Sequence, residues 1–221
     1  MDSLARYVLW GSAGHAKVLA DVISLKGGQV VALIDNNPAA SACLRDVPIF
    51  IGTAGFDVWL ASLPFPITVQ AVIAIGGARG ADRQALAKIL RAAGLTLPSL
   101  VHPSAIVSSS ARIGDGSHVL AGTVIAADVT LGELCIVNNS ANIDHECHLG
   151  AGVHVAPGAV LCGCVEVEDN AMIGAGAVVL PRIRIGAGAV IGAGAVVTHN
   201  VKPGVVVTGN PARPHPPSLG M

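Results

Sequence analysis

The chain has 221 residues, a formal net charge of -1 and only 12% charged residues against 52% hydrophobic ones. It has no basic run able to neutralise a row of phosphates, and glycine, proline or polar residues break every apolar stretch short of the ~20 residues that span a bilayer; neither nucleic acid nor membrane is expected as a partner. Five cysteines, at positions 43, 135, 147, 162 and 164, are odd in number and form no CxxC pair, which predicts reduced thiols rather than a disulfide framework.

Met1 to Arg6 carries both charge signs and lacks the basic, apolar and small-residue order of a secretory leader, so a cytoplasmic location is expected. A short buried strand is predicted over Tyr7 to Trp10, then Gly11-Ser12-Ala13-Gly14-His15-Ala16 and a helix over Lys17 to Leu25. A second strand over Gln29 to Ile34 ends at Asp35. Strand, glycine turn, helix, strand and terminal acid make half of a Rossmann-like unit, in which helix N-terminal amides meet phosphate and the acid meets a sugar hydroxyl or base. The turn holds two of the three expected glycines, so a plain βα turn stays open, as does a solvent-facing His15 instead of a phosphate contact. A strand over Val69 to Ile75, Gly76-Gly77 and a helix over Asp82 to Ala93 complete a small α/β unit, expected to bind a ligand.

From Val101 to Val197 every sixth residue is Val, Ile or Leu without exception. A second track, offset by four, runs Ala105, Ala111, Ser117, Thr123 onward and is nearly all small, and glycine often follows the aliphatic, as in Ile113-Gly114 and Ile173-Gly174. One large inward aliphatic, one small inward residue and a turn-permissive glycine describe one flat side of a three-sided coil, with three such units to each turn. Two domains follow, residues 1–98 and 99–221. Outward Leu120, Val124, Val178, Leu180 and Val190 leave apolar surface that predicts self-association.

The polar run Asp144-His145-Glu146 interrupts this scaffold. Neutral imidazole titrates in the range suited to taking a proton from an attacking amine, but consecutive strand residues point to opposite faces. Glu146 can therefore support His145 only at a corner of the coil; Asp144 is the alternative. Asn138 and Asn139, just before this run, suit either a sugar contact or an internal amide ladder.

The order of GSAGHA, Asp35, His102-Pro103-Ser104-Ala105 and Asp144-His145-Glu146-Cys147 resembles the bacterial nucleotide-sugar acetyltransferases of the sialic acid O-acetyltransferase type, including N-acetyltransferases of GDP- or UDP-linked 4-amino-deoxysugars such as GDP-perosamine. The resemblance spans the chain and implies a left-handed parallel β-helix after a Rossmann-like domain, acetyl-coenzyme A as acyl donor, no metal, and a homotrimer with sites between neighbouring coils. It implies His145 as catalytic base with Glu146 orienting it, and His154 and Gly163 at acetyl-coenzyme A, the Gly163 amide suiting a thioester oxyanion. It also implies Ala175 and Ala193 along the pantetheine arm, Ser12, Gly14 and His15 near phosphates, and Asp35 near ribose or base. Lys202 and Arg213 suit coenzyme phosphates or bulk solvent. Asn36 and Asn37 leave the base open. O-acetylation of a sugar hydroxyl is the alternative chemistry, and zinc-dependent carbon dioxide hydration, which also occurs on such coils, lacks its histidine spacing here.

Overall fold

A computed structural model describes residues 4–64 and 68–215; the start of the leader reading, Met1 to Ser3, lies outside them. The chain opens with β1 (Ala5–Trp10), α1 (Gly14–Leu25) and β2 (Gly28–Asp35). Next come β3 (Ile49–Ile51), α2 (Gly52–Ala61), β4 (Val69–Ile73) and α3 (Gly80–Ala92). The four strands form one parallel sheet in the order β3-β2-β1-β4. Chain order reverses between β1 and β4, and such a switch point opens a crevice at the carboxyl ends of the strands, where this fold binds ligands.

Three local expectations are corrected. Helix α1 begins at Gly14, ahead of the expected start at Lys17, so Gly14 and His15 belong to its first turn, and Ala13 at the N-cap supplies no side-chain bond. Helix α3 begins at Gly80 rather than Asp82. Asp35 is the last residue of β2, not the first beyond it. Both β3 and α2 lack a sequence expectation: the strand is very short, and the helix starts on a glycine with no polar cap.

From Leu100 on, short strands recur at the hexapeptide period, and each pairs in parallel with its counterpart one full coil later, as in His118↔Ile136↔His154. Three sheets result, and their inward residues, among them Cys135, Ala141, Ile143, Cys147 and Leu161, form one continuous core of fully buried side chains. The glycines that follow some of the aliphatics serve a different purpose from the one expected. They do not turn the chain: a Cβ on Gly132 would lie 2.6 Å from the Gly150 carbonyl carbon one coil on, so the requirement is close approach. The left-handed turn position lies two residues further along and tolerates side chains, with Glu146 at φ 57°, Cys164 at 59° and Arg182 at 61° stacked on one corner.

The three outward faces differ. One carries Arg112, His148, Glu166 and Arg184 and is solvated. One carries Ile106, Val124, Asn142, Val160, Val178 and Val196 and stays partly or fully exposed. The third presents Leu100, His118, Ile136 and His154, all buried against the N-terminal unit. There the cores merge: Leu134 joins the cluster of Trp10 and Phe56, while Leu100 and Leu120 join that of Leu9 and Leu19. Burying a leucine contributes about 1.5–3 kcal/mol, so these three fasten the coil to the sheet. Arg83 adds direction, its buried guanidinium donating to the carbonyls of Leu134, Gly152 and Ile75 at 3.0, 2.6 and 3.2 Å.

Candidate active site

Asp144, His145 and Glu146 occupy the turn after the strand Asn142–Ile143, so the pleat does not separate them. Positive φ at Glu146 swings its side chain back, and His145 Nδ1 lies 3.0 Å from Glu146 Oε2. The Asp144 carboxylate instead accepts the backbone N–H of His145 at 2.7 Å and holds the turn. Hydrogen bonds from His145 and, secondarily, the Cys164 thiol at 3.7 Å keep the Glu146 carboxyl below its ordinary range. An ionised Glu146 accepts Nδ1–H, which leaves Nε2 of a neutral His145 as a bare lone pair.

Gly163 sits one coil beyond His145. A Cβ there would lie 2.6 Å from both His145 Cε1 and Nε2, so the missing side chain is what admits the imidazole. The Gly163 carbonyl accepts the Arg182 backbone N–H, while its own N–H meets no acceptor among the described residues. A histidine lone pair and an unpaired backbone N–H therefore flank one exposed corner. His145, Glu146 and Cys164 are also the single group of potential metal donors among the described residues, their ligand atoms within 4.8 Å of one another.

A second site lies at the switch point. A cavity of about 310 Å³ is lined by Trp10, Gly11, Ser12, His15, Asp35, Asn36, Ile75, Gly76 and Arg79 among others. Asp35 shapes its rim through both oxygens, accepting the backbone N–H of Ser12 at 2.8 Å and of Asn37 at 2.9 Å. In the first turn of α1 the Ala16 N–H donates to the Ala13 carbonyl at 3.0 Å, while those of Gly14 and His15 meet no acceptor among the described residues. Trp10 Nε1 donates to Asn36 at 3.2 Å.

The model of the PglD N-terminal domain matches residues 6–89, and that of the bacterial transferase hexapeptide (six repeats) matches residues 164–199. No curated protein matched. Among solved structures, PerB from Caulobacter crescentus in complex with CoA and GDP-perosamine is 35% identical, over 97% of this chain and 99% of that one, with a TM-score of 0.85. The acetyltransferase domain of PglB from Neisseria gonorrhoeae, in complex with acetyl coenzyme A, is 33% identical over 96% and 100%, at 0.84. WeeI from Acinetobacter baumannii is 28% identical over 96% and 100%, at 0.85. The chain belongs to the nucleotide-sugar acetyltransferases. Its coil is accordingly the left-handed β-helix of that family, and a histidine-to-alanine mutant of the Caulobacter enzyme superposes equally well, at a TM-score of 0.86.

Within this family member, the structure joins some expected site residues and separates others. His145, Glu146 and Gly163 share one corner. Asn138, Ala175 and Ala193 line a different corner of the same chain, and the two alanines are exposed and stacked on successive coils. Asn138 Oδ1 accepts the Asn139 N–H at 2.8 Å, and neither asparagine enters the core, so the amide-ladder reading is set aside. His154 is buried at the seam, its Nδ1 accepting the Gly77 N–H at 2.9 Å. Ser12, His15 and Asp35 line the sheet crevice, while Gly14, between Ser12 and His15 in the chain, does not. Lys202 and Arg213 line a cavity of about 400 Å³ at the far end of the coil. Sequence reasoning missed Trp10, Arg79, Arg83 and His118. A buried arginine on a helix otherwise alternating charge and Ala/Leu gives no signal of its own; His118 does, as a bulky polar residue beside the small track.

Proposed function

We propose that the chain is an acetyl-CoA-dependent N-acetyltransferase acting on the amino group of a nucleotide-linked 4-amino-deoxysugar, GDP- or UDP-linked. The observation that carries this reading is the corner dyad: a histidine lone pair, fixed by an ionised glutamate, beside an unpaired Gly163 N–H. In the proposed reaction His145 Nε2 takes the proton that the sugar amine sheds as its nitrogen bonds to the acetyl carbonyl carbon. The Gly163 N–H meets the negative charge that develops on the carbonyl oxygen. The resulting imidazolium returns the proton to the departing sulfur, leaving the N-acetylated sugar and coenzyme A. Glu146 stabilises the imidazolium while it exists.

In the same reading the crevice at Ser12, Gly14, His15 and Asp35 holds the nucleotide, helix N–H groups facing the diphosphate, so residues 1–98 serve as the sugar-nucleotide unit and 99–221 as the acyl-transfer unit. The coenzyme runs past Ala175 and Ala193 on one chain toward His145 on the next. That the expected residues lie on two corners of one chain supports a homotrimer, in which a neighbour's corner completes each site; the exposed face of Ile106, Val160, Val178 and Val196 is the surface such packing buries. No helix among the described residues is long and apolar enough to cross a membrane, and a cytoplasmic setting, where acetyl-CoA is made, fits the reading.

Acetyl transfer from acetyl-CoA to GDP- and UDP-linked 4-amino-deoxysugars, and to their 4-hydroxy counterparts, tests it directly. Amide formation on one nucleotide series is expected; transfer to the hydroxy sugar alone, or to neither, overturns it. The particle is expected at three times the 22.1 kDa chain mass by light scattering.

A further inference from the structure

The seam between sheet and coil holds a histidine pair, half-buried His15 and buried His118, and the proposed chemistry gives His118 no role. His15, at the start of α1, has its Nε2 3.3 Å from Nδ1 of His118, which the coil contributes, with ring centroids 5.4 Å apart. His118 is 1% exposed, and its other nitrogen, Nε2, meets no partner among the described residues. His15 lines the switch-point cavity, and its second nitrogen, Nδ1, bonds no described residue. Burial pushes the His15 imidazolium down to about 4 and that of His118 well below its ordinary range, so both rings are neutral near pH 7.

Two neutral imidazoles sharing one contact place one proton between them, and there are two ways to do it. If His15 Nε2 donates, His118 must carry its own proton on Nε2, where it becomes a buried N–H without an acceptor, and His15 turns a lone pair toward the cavity. If His118 Nδ1 donates, the orphan at Nε2 is an acceptor, and His15 carries its proton on Nδ1. Orphaned buried N–H groups are rarer in proteins than under-satisfied acceptors. The geometry points to His118 as a positioning residue of the nucleotide site: it donates from Nδ1 to His15 Nε2 and so fixes His15 as the Nδ1–H tautomer, an uncharged donor for the diphosphate of a sugar nucleotide. This rests on the nucleotide reading of the crevice. It makes one domain set the proton pattern of the other domain's ligand site.

Two measurements test it. In wild-type protein labelled with ¹⁵N-histidine, long-range ¹H–¹⁵N correlations should show His15 protonated at Nδ1 and His118 at Nδ1; His15 protonated at Nε2 overturns the inference. The second is kinetic. His118→Phe fills the site without a donor, and the KM for the sugar nucleotide should rise roughly three- to tenfold, the effect of weakening one hydrogen bond to a charged group, with kcat and the KM for acetyl-CoA within about twofold. His118→Asn restores an N–H near the Nδ1 position and should recover most of the loss. Equal KM values in wild type and His118→Phe, or a loss in both variants that Asn does not recover, sinks the proposal. If wild-type protein binds no sugar nucleotide, the functional reading of the crevice fails instead, while the tautomer remains readable in the free protein.

Discussion

The exposed corner at His145 and the buried seam at His15 use the same side chain for opposite ends. At the corner an ionised Glu146 holds the proton on Nδ1 and leaves a lone pair in the open, where His145 is about half exposed, the condition for a base. At the seam a second histidine stands in for the carboxylate, both rings are kept neutral by burial, and the free nitrogen of His15 carries a proton instead. Which partner faces an imidazole, and how wet the place is, decides whether it accepts a proton or offers one.

The contrast breaks first at His145. His145→Ala should lower kcat by ~10²–10⁴ while leaving the KM for the sugar nucleotide nearly unchanged, since it removes a base and not a binding group; steady-state kinetics with both substrates varied checks this, and a change confined to KM would move His145 to the binding side. A smaller effect is expected from Glu146→Gln, which keeps an acceptor but loses the charge that favours Nδ1–H: kcat falls about tenfold, in line with the roughly doubled strength of a charged hydrogen bond. An unaltered kcat would mean that the turn alone orients the ring. The seam responds to pH rather than to the reaction. His15 and His154 are both held down to about 4 by burial, below the ordinary 6.5, so the unfolded chain binds protons that the folded one refuses. Their contribution is complete above pH 6.5 and is lost as pH falls toward 4, so Tm measured by calorimetry should decline across that window, and His118, held well below its ordinary range, carries the decline further. A Tm constant from pH 7 to 4 would show that the seam admits water.

The coil is legible in the sequence because its period is enforced by packing: an inward position accepts only an aliphatic or a small residue, and coil-on-coil pairing repeats that demand without drift. The corner is legible for the complementary reason, three polar residues where the scaffold needs none. What stays hidden depends on docking. No pattern around His118 and its neighbour Val119 says that α1 will place His15 against it, and Arg83 finds its three carbonyl partners only once the sheet and the coil have met. The start of α1 is hard to read because Ala13 carries no capping oxygen, and a glycine after an aliphatic, as at Gly132, is deceptive because its constraint comes from the next coil rather than from its own turn.

The regular pairing of each strand with its counterpart on the next coil has a consequence for distance. Successive coils are about 4.8 Å apart, close to the width of a sugar ring, and the corner positions are geometrically alike from one coil to the next. Moving an acid–histidine–acid trio by one whole coil would carry the base one such step along the axis and leave its local geometry intact, while the crevice at the sheet stays pinned by Arg83 and three leucines. The protein thus contains a graduated scale, with its zero at the nucleotide crevice and His145 at one of its marks.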